Sequence, residues 1–249
     1  MKPATFDYIR AESIAEASAR LAEYGPDARL LAGGQSLLPA MNLRLARPSV
    51  LVDIGRLSEY DFVERQGDVL RIGALTRMAR VGRDSVDIPL LTEAIRHVAH
   101  PAIRARGTIG GNLAHADPAS ELPACMLALG ATMEATSARG TRRIAVADFY
   151  TGLFQTDLAA DEILTAVEIP IPSERWFFQE IARRMGDYAI VGLAAVGQRL
   201  ALFSVGDRPV LLDRDATLDL DPQSDLQASA ATRLHLAGVL RDRALAALG

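Results

Sequence analysis

The apolar pattern changes its period once, near Gly55, and that switch limits the fold more than any other feature. Before it, the short runs "FDYIRA", "RLLA" and "SVLVDI" alternate with segments of helical spacing. Ser13 and Glu16 form a capping box, in which a side-chain oxygen satisfies free N–H groups at a helix start. Ile14, Ala17, Leu21 and Ala22 follow on one face, and Gly25-Pro26 ends the helix. Leu37, Leu38, Met41, Leu43 and Leu45 predict a short second helix with Pro39 in its first turn. Continuous apolar strands joined by helices predict a small parallel βαβαβ unit over residues 1–57.

After Gly55 the chain alternates, as half-buried antiparallel strands do. "DFVERQGDVLRIGAL" turns at Gln66-Gly67-Asp68, and "ATMEATSARGTRRIAVADF" is a second hairpin. "IPLLTEAIRHVA" and "PASELPACMLALG" have helical character. Residues 58–172 therefore predict an antiparallel sheet with helices. The two prolines of "IPIPSERWFF" mark a boundary. Residues 173–249 hold further strand, an acidic loop "DRDATLDLDPQSD" and an amphipathic helix "LHLAGVLRDRALAAL". The expected class is α+β.

A net charge of −4 argues against a nucleic-acid footprint, although 27 residues are basic and all but Lys2 of them are arginine. Cys125, the single cysteine, can form no internal disulfide and no four-cysteine cluster; on an apolar helix it is expected as a buried thiol. His97, His100, His115 and His235 lack zinc-ligand spacing. "GLAAVGQR", from Gly192, lacks the lysine and hydroxyl of a phosphate loop. No apolar stretch reaches the roughly 18 residues of a membrane span, and the expected location is cytoplasmic.

Three stretches bear chemistry. Ala32-Gly33-Gly34-Gln35-Ser36 joins a strand to a helix, where backbone N–H groups and the helix dipole favour an anion and glycine admits phosphate oxygens. A tight turn without ligand fits the same residues. "RGTIGGNLAHADPASELP" gathers Gly107, Gly110 and Gly111, with Thr108, Asn112, Asp117 and Glu121 as polar groups suited to hydroxyls. Two such loops, one per subdomain, suit an extended ligand with a pyrophosphate in the cleft between them. Tyr188 follows Gly186 in "RRMGDYAIVG"; in a chain with 5% aromatics it is a ring-stacking candidate or a half-buried core residue.

Taken together, "AGGQSLLPAMNLRLARPSVLVDI", "HPAIRARGTIGGNLAHADPASELP", "DEILTAVEIP" and "FQEIARRMGDYAIVG" resemble the FAD-binding medium subunit of molybdenum hydroxylases, as in carbon monoxide dehydrogenase and xanthine dehydrogenase. The resemblance runs in family order over about residues 1–195, and "GDRPV" and "LHLAGVLRDRAL" extend it. It implies the p-cresol methylhydroxylase-type FAD fold with a shortened C-terminal α+β domain.

It further implies non-covalent FAD. One loop, Leu31, Ala32, Gly33, Gly34, Gln35, Ser36 and Leu37, would hold its pyrophosphate and ribityl chain. So would the second, Ile103 with Gly107, Thr108, Ile109, Gly110, Gly111 and Asn112. Asp117 and Glu121 would lie beside the ribityl or adenosine part, Ile163 and Leu164 near a ring, and Tyr188 over one face of the isoalloxazine. Glu121 stands where many members have aspartate. The implied function is electron transfer through FAD to an external acceptor. A large molybdopterin subunit and a small subunit with two [2Fe–2S] clusters would complete a dimer of heterotrimers. No residue of this chain is expected to do acid–base chemistry on the substrate. The rivals are a stand-alone FAD reductase or oxidase of the same fold, and a non-enzymatic nucleotide-sugar-binding or scaffold protein.

Overall fold

In the computed structural model, residues 2–212 and 218–249 are described; part of the acidic loop, 213–217, lies outside them. The first sheet holds β1 (Asp7–Arg10), β2 (Ala28–Leu31) and β3 (Val50–Asp53), in the order β1-β3-β2 and all parallel. Helix α1 (Ile14–Tyr24) buries Ile14, Ala17 and Leu21 against it. The Ser13 hydroxyl accepts the Glu16 N–H at 3.1 Å, and the Glu16 carboxylate returns to the N–H of Glu12 rather than of Ser13. Helix α2 (Leu37–Asn42) is shorter than its apolar spacing predicts. Arg44 turns left-handed at φ 60° and leaves Leu43 and Leu45 exposed.

The second sheet has the order β4-β5-β10-β6-β7 and is antiparallel throughout. Strands β4 (Val63–Gln66) and β5 (Val69–Gly73) meet at the two-residue turn Gly67-Asp68, with Gly67 at φ 63°. Helices α3 (Met78–Asp84), α4 (Pro89–His97), α5 (Pro101–Arg104), α6 (Ile109–His115) and α7 (Glu121–Leu129) follow. Then come β6 (Thr132–Ser137), β7 (Gly140–Ala145), α8 (Val146–Phe149), a small hairpin of β8 (Tyr150–Gly152) and β9 (Gln155–Thr156), and β10 (Ile163–Pro170). The second glycine stretch, expected from sequence as a loop, is instead partly helical. Gly110 and Gly111 stand in the first turn of α6, because Thr108 caps that turn and Gly110 fits against Ala74.

Every residue of α7 is buried, Cys125 included, so the helix is apolar all round rather than on one face. It lies between the second sheet and a third, antiparallel one. That sheet has the order β11 (Trp176–Ile181), β12 (Val191–Val196), β13 (Arg199–Phe203) and β14 (Val210–Leu212). Alternate β12 residues serve two cores: Ala194 and Val196 face the core around α7, while Val191, Leu193 and Ala195 face α9 (Ala230–Leu248). No helix among the described residues is long and apolar enough to cross a membrane.

Candidate functional site

The two glycine stretches touch. A Cβ on Gly33 would stand 2.5 Å from the Arg106 carbonyl oxygen and 2.8 Å from the Gly107 Cα. What approaches the backbone at Gly33 is therefore the second stretch itself. Gly34 is glycine for a different reason: it holds φ 72°, which swings the chain from β2 into α2. Gly107 and Gly110 are also occupied by protein, since added Cβ atoms would lie 2.4 Å from the Met78 Cε and 2.4 Å from the Ala74 Cβ. Gly111 differs. Apart from the Thr108 hydroxyl that caps its own turn, nothing stands within 4 Å of a Cβ placed there.

The stretches also differ in their donors. The N–H groups of Gly33, Gly34, Gln35 and Ser36 have no acceptor among the described residues. The Gln35 side chain turns back to the Gly33 carbonyl at 3.1 Å, and Leu31, Ala32 and Leu37 are half-buried. In the second stretch the donors are largely spent. Gly107 donates to Ile103 O, Ile109 to Thr76 O, Gly110 to Ala74 O, Asn112 to Thr108 O and Gly111 to the Thr108 hydroxyl. Between Gly107 and Asn112 only the Thr108 N–H has no acceptor among the described residues. The two stretches thus differ in what their backbones leave open. The first stretch supplies donors, and the second supplies a bare wall at Gly111.

The polar residues sort similarly. The Asn112 side-chain oxygen accepts from the Ser120 hydroxyl at 3.0 Å, and one Asp117 oxygen accepts the Ala119 N–H at 2.9 Å. Glu121 is 6% exposed in the first turn of α7, and burial, with the Glu180 charge adding to it, pushes its carboxyl up to about 8. Glu180 itself meets His97 Nδ1 at 3.1 Å. Tyr188 is 60% exposed on the turn between β11 and β12, with its hydroxyl beside Asp117. Partial burial, and then the Asp117 and Glu121 charges, hold that phenol above its ordinary value.

Ile163 and Leu164 are different. Ile163 is 1% exposed among residues of the first sheet's core, and Leu164 belongs to the core of the second. Both side chains pack into the protein core. Ser204 and Arg233, which hold the Tyr188 turn, carry no local sequence signal. No cluster of metal-ligating side chains exists among the described residues.

Residues 4–172 match the FAD binding domain in molybdopterin dehydrogenase. The chain belongs to that family. It is 40% identical over 281 residues to the caffeine dehydrogenase subunit beta of Pseudomonas sp. (strain CBB1), covering 99% of this chain and 95% of that protein. It is 36% identical over 279 residues to the carbon monoxide dehydrogenase medium chain of Afipia carboxidovorans, covering 98% and 97%. Both alignments run longer than the 249 residues here, so these FAD subunits carry positions that this one lacks. Among solved structures, carbon monoxide dehydrogenase from Hydrogenophaga pseudoflava superposes with a TM-score of 0.93 at 32% identity, covering 100% of this chain and 98% of that one. Quinoline 2-oxidoreductase from Pseudomonas putida 86 gives 0.92 at 40%, with the same coverage. The fold is the α+β FAD-binding fold of these medium subunits. The cofactor of the chain is FAD, and the chain is an oxidoreductase component of a multi-subunit complex with large and small subunits.

The site fits that cofactor. A pyrophosphate is an anion that needs several N–H donors, and four unpaired ones stand in sequence from Gly33 to Ser36.

Proposed function

We propose that the FAD pyrophosphate lies along Gly33 to Ser36, with the ribityl chain passing the bare backbone of Gly111. Thr108 supplies its free N–H, while Asp117 and Glu121 border the ribityl or adenosine part. Tyr188 covers one face of the isoalloxazine. FAD held there would supply electron transfer between the iron–sulfur clusters of a partner subunit and an external acceptor. The chain's own residues bind it, orient its ring and keep water from one face. The observation that carries this reading is the contact at Gly33. It presses a stretch with four unpaired donors against one that offers an open glycine surface.

The proposed division is residues 1–57 and 58–172 as the two walls of the FAD groove, with 173–249 as a shortened C-terminal part that carries the partner contacts. The proposed assembly is a dimer of heterotrimers in the cytoplasm. Ile163 and Leu164 support the groove through the core behind it.

The test uses the native complex and the isolated chain. The complex should contain FAD, iron and molybdenum, and acid should release the FAD into the supernatant. The isolated chain should hold FAD without metals and reduce dyes only with artificial donors. Flavin that stays with the precipitated polypeptide would contradict non-covalent binding. Substrate-dependent turnover by the metal-free chain would contradict the electron-transfer role.

A further inference from the structure

The Tyr188 turn is strapped from behind by the last helix and the loop before it. The Ser204 N–H donates to Pro118 O at 2.8 Å and its hydroxyl donates to Ala189 O at 2.6 Å. One residue thus ties the Asp117-Pro118 bend to the residue after Tyr188. Ser204 does so from φ 63°, a left-handed conformation that a serine adopts at a cost.

Arg233, 6% exposed on α9, holds Ser204 there. Its Nη1 donates to Ser204 O at 3.0 Å and also to Ile190 O. Its Nη2 donates to the Asp225 carboxylate at 2.6 Å. The Arg233 Nε is buried without a partner, so the guanidinium sits where it serves the two carbonyls rather than where all its donors are met. On the other side of the turn, Arg183 donates to Leu226 O and Gln227 O at 3.1 and 3.3 Å. The segment around residues 225–233 therefore grips the chain both before and after Tyr188.

We propose that Arg233, acting through Ser204, is a positioning residue that fixes how the Tyr188 ring stands over the cofactor. This rests on the reading above that Tyr188 covers the flavin. Neither Arg233 nor Ser204 touches the ring. Their part is to join Ala189, Ile190 and Pro118 into one rigid frame, because each bond removes a way for the turn to swing. Gly186 completes the frame, fitting its backbone against Ala99 and His100 on the opposite side.

The experiment compares full-length FAD-loaded Ser204→Gly, Arg233→Gln, Arg233→Lys and Tyr188→Ala. FAD content, flavin fluorescence lifetimes and reduction midpoint are measured for each. Glycine at 204 keeps the left-handed backbone and the N–H bond to Pro118 O, and removes the hydroxymethyl group with its bond to Ala189 O. Tyr188→Ala should brighten the flavin several-fold by removing the quenching phenol. Ser204→Gly and Arg233→Gln should keep their FAD yet brighten part of the way and broaden the lifetime distribution. Arg233→Lys should restore part of the quenching. Combining Ser204→Gly with Tyr188→Ala should add nothing to Tyr188→Ala alone, which a merely structural role would not produce. Bright Tyr188→Ala beside fully quenched Ser204→Gly would overturn the positioning role. An unchanged Tyr188→Ala would instead overturn the placement of Tyr188 on the flavin. Should Arg233→Gln fail to fold, Ser204→Gly alone decides.

Discussion

The backbone of Gly107 packs against Gly33 so closely that a methyl group on Gly33 would lie 2.8 Å from the Gly107 Cα and 2.5 Å from the carbonyl oxygen before it. Both neighbours are backbone and cannot rotate away. Gly33→Ala should therefore cost about 1–3 kcal/mol by overpacking. In a chain of this size that is roughly 2–12 °C in melting temperature. The same separation pulls the unpaired donors away from the second stretch, so FAD affinity should fall as well. Calorimetry of the FAD-free protein and an FAD titration check both. An unaltered melting temperature would mean that the two stretches are not in contact.

Neighbouring glycines should separate folding from binding. Gly110→Ala drives a methyl into Ala74, with its Cβ at 2.4 Å and its carbonyl oxygen at 2.7 Å, and should destabilise the FAD-free protein. Gly111→Ala meets only the Thr108 hydroxyl. Losing that cap costs about 1 kcal/mol, and alanine in a helix returns a similar amount. The FAD-free melting temperature should thus barely move, while FAD binding weakens roughly tenfold or more. Equal FAD affinity in Gly111→Ala and the parent would remove the ligand from that wall.

Tyr188→Ala should leave most of the flavin in place at saturating FAD. Losing one stacking face forfeits about 0.5–1.5 kcal/mol beyond buried area, about tenfold in affinity at most. A dissociation constant from titration, compared with that of Gly111→Ala, ranks the two contacts. A flavin-free Tyr188→Ala beside a flavin-loaded Gly111→Ala would reverse the assignment.

Burial of Glu121 has a pH signature. Its carboxyl is pushed up to about 8 in the folded chain and returns to the ordinary carboxylate range on unfolding. The folded state therefore holds the extra proton. Its stabilising effect is complete below the unfolded value and is lost as pH rises towards 8. Between pH 5 and 6 the slope from this group approaches ~1.4 kcal/mol per pH unit. His97, whose pKa is raised chiefly by its hydrogen bond to Glu180, adds a loss of the same sign at higher pH. Melts of the FAD-free protein and of Glu121→Gln across pH 5–8 should diverge steadily, with the variant the more stable at pH 7. Parallel curves would show that Glu121 ionises normally.

The parallel first sheet and the Gly67-Asp68 hairpin were legible because both follow from local period and turn chemistry. So were the glycine stretches as a pair. Helix α6 was not, since two adjacent glycines weigh against a helix. The Thr108 cap and the close fit on Ala74 outweigh that propensity, and the second of these is tertiary. Helix α3 was missed for a similar reason: it is short and carries Gly82, which exists to admit Ile95. Leu43 and Leu45 misled in the other direction, with helical spacing that faces solvent. The burial of Glu121 and the grip of Arg233 on Ser204 depend on residues brought from a third sheet and a final helix. No window of sequence contains them.

The alternation along β12 also governs how the molecule comes apart. Because successive residues of one strand belong to the core around α7 and to the core under α9, the third sheet cannot lift away without exposing both. Gly192 makes the seam tighter still, since a side chain there would overlap the Phe203 ring. The last part of the chain is thus not a tethered appendage. It should melt with the second sheet as one cooperative unit, and native-state hydrogen exchange should find β12 and α7 opening together at the slowest rates in the protein.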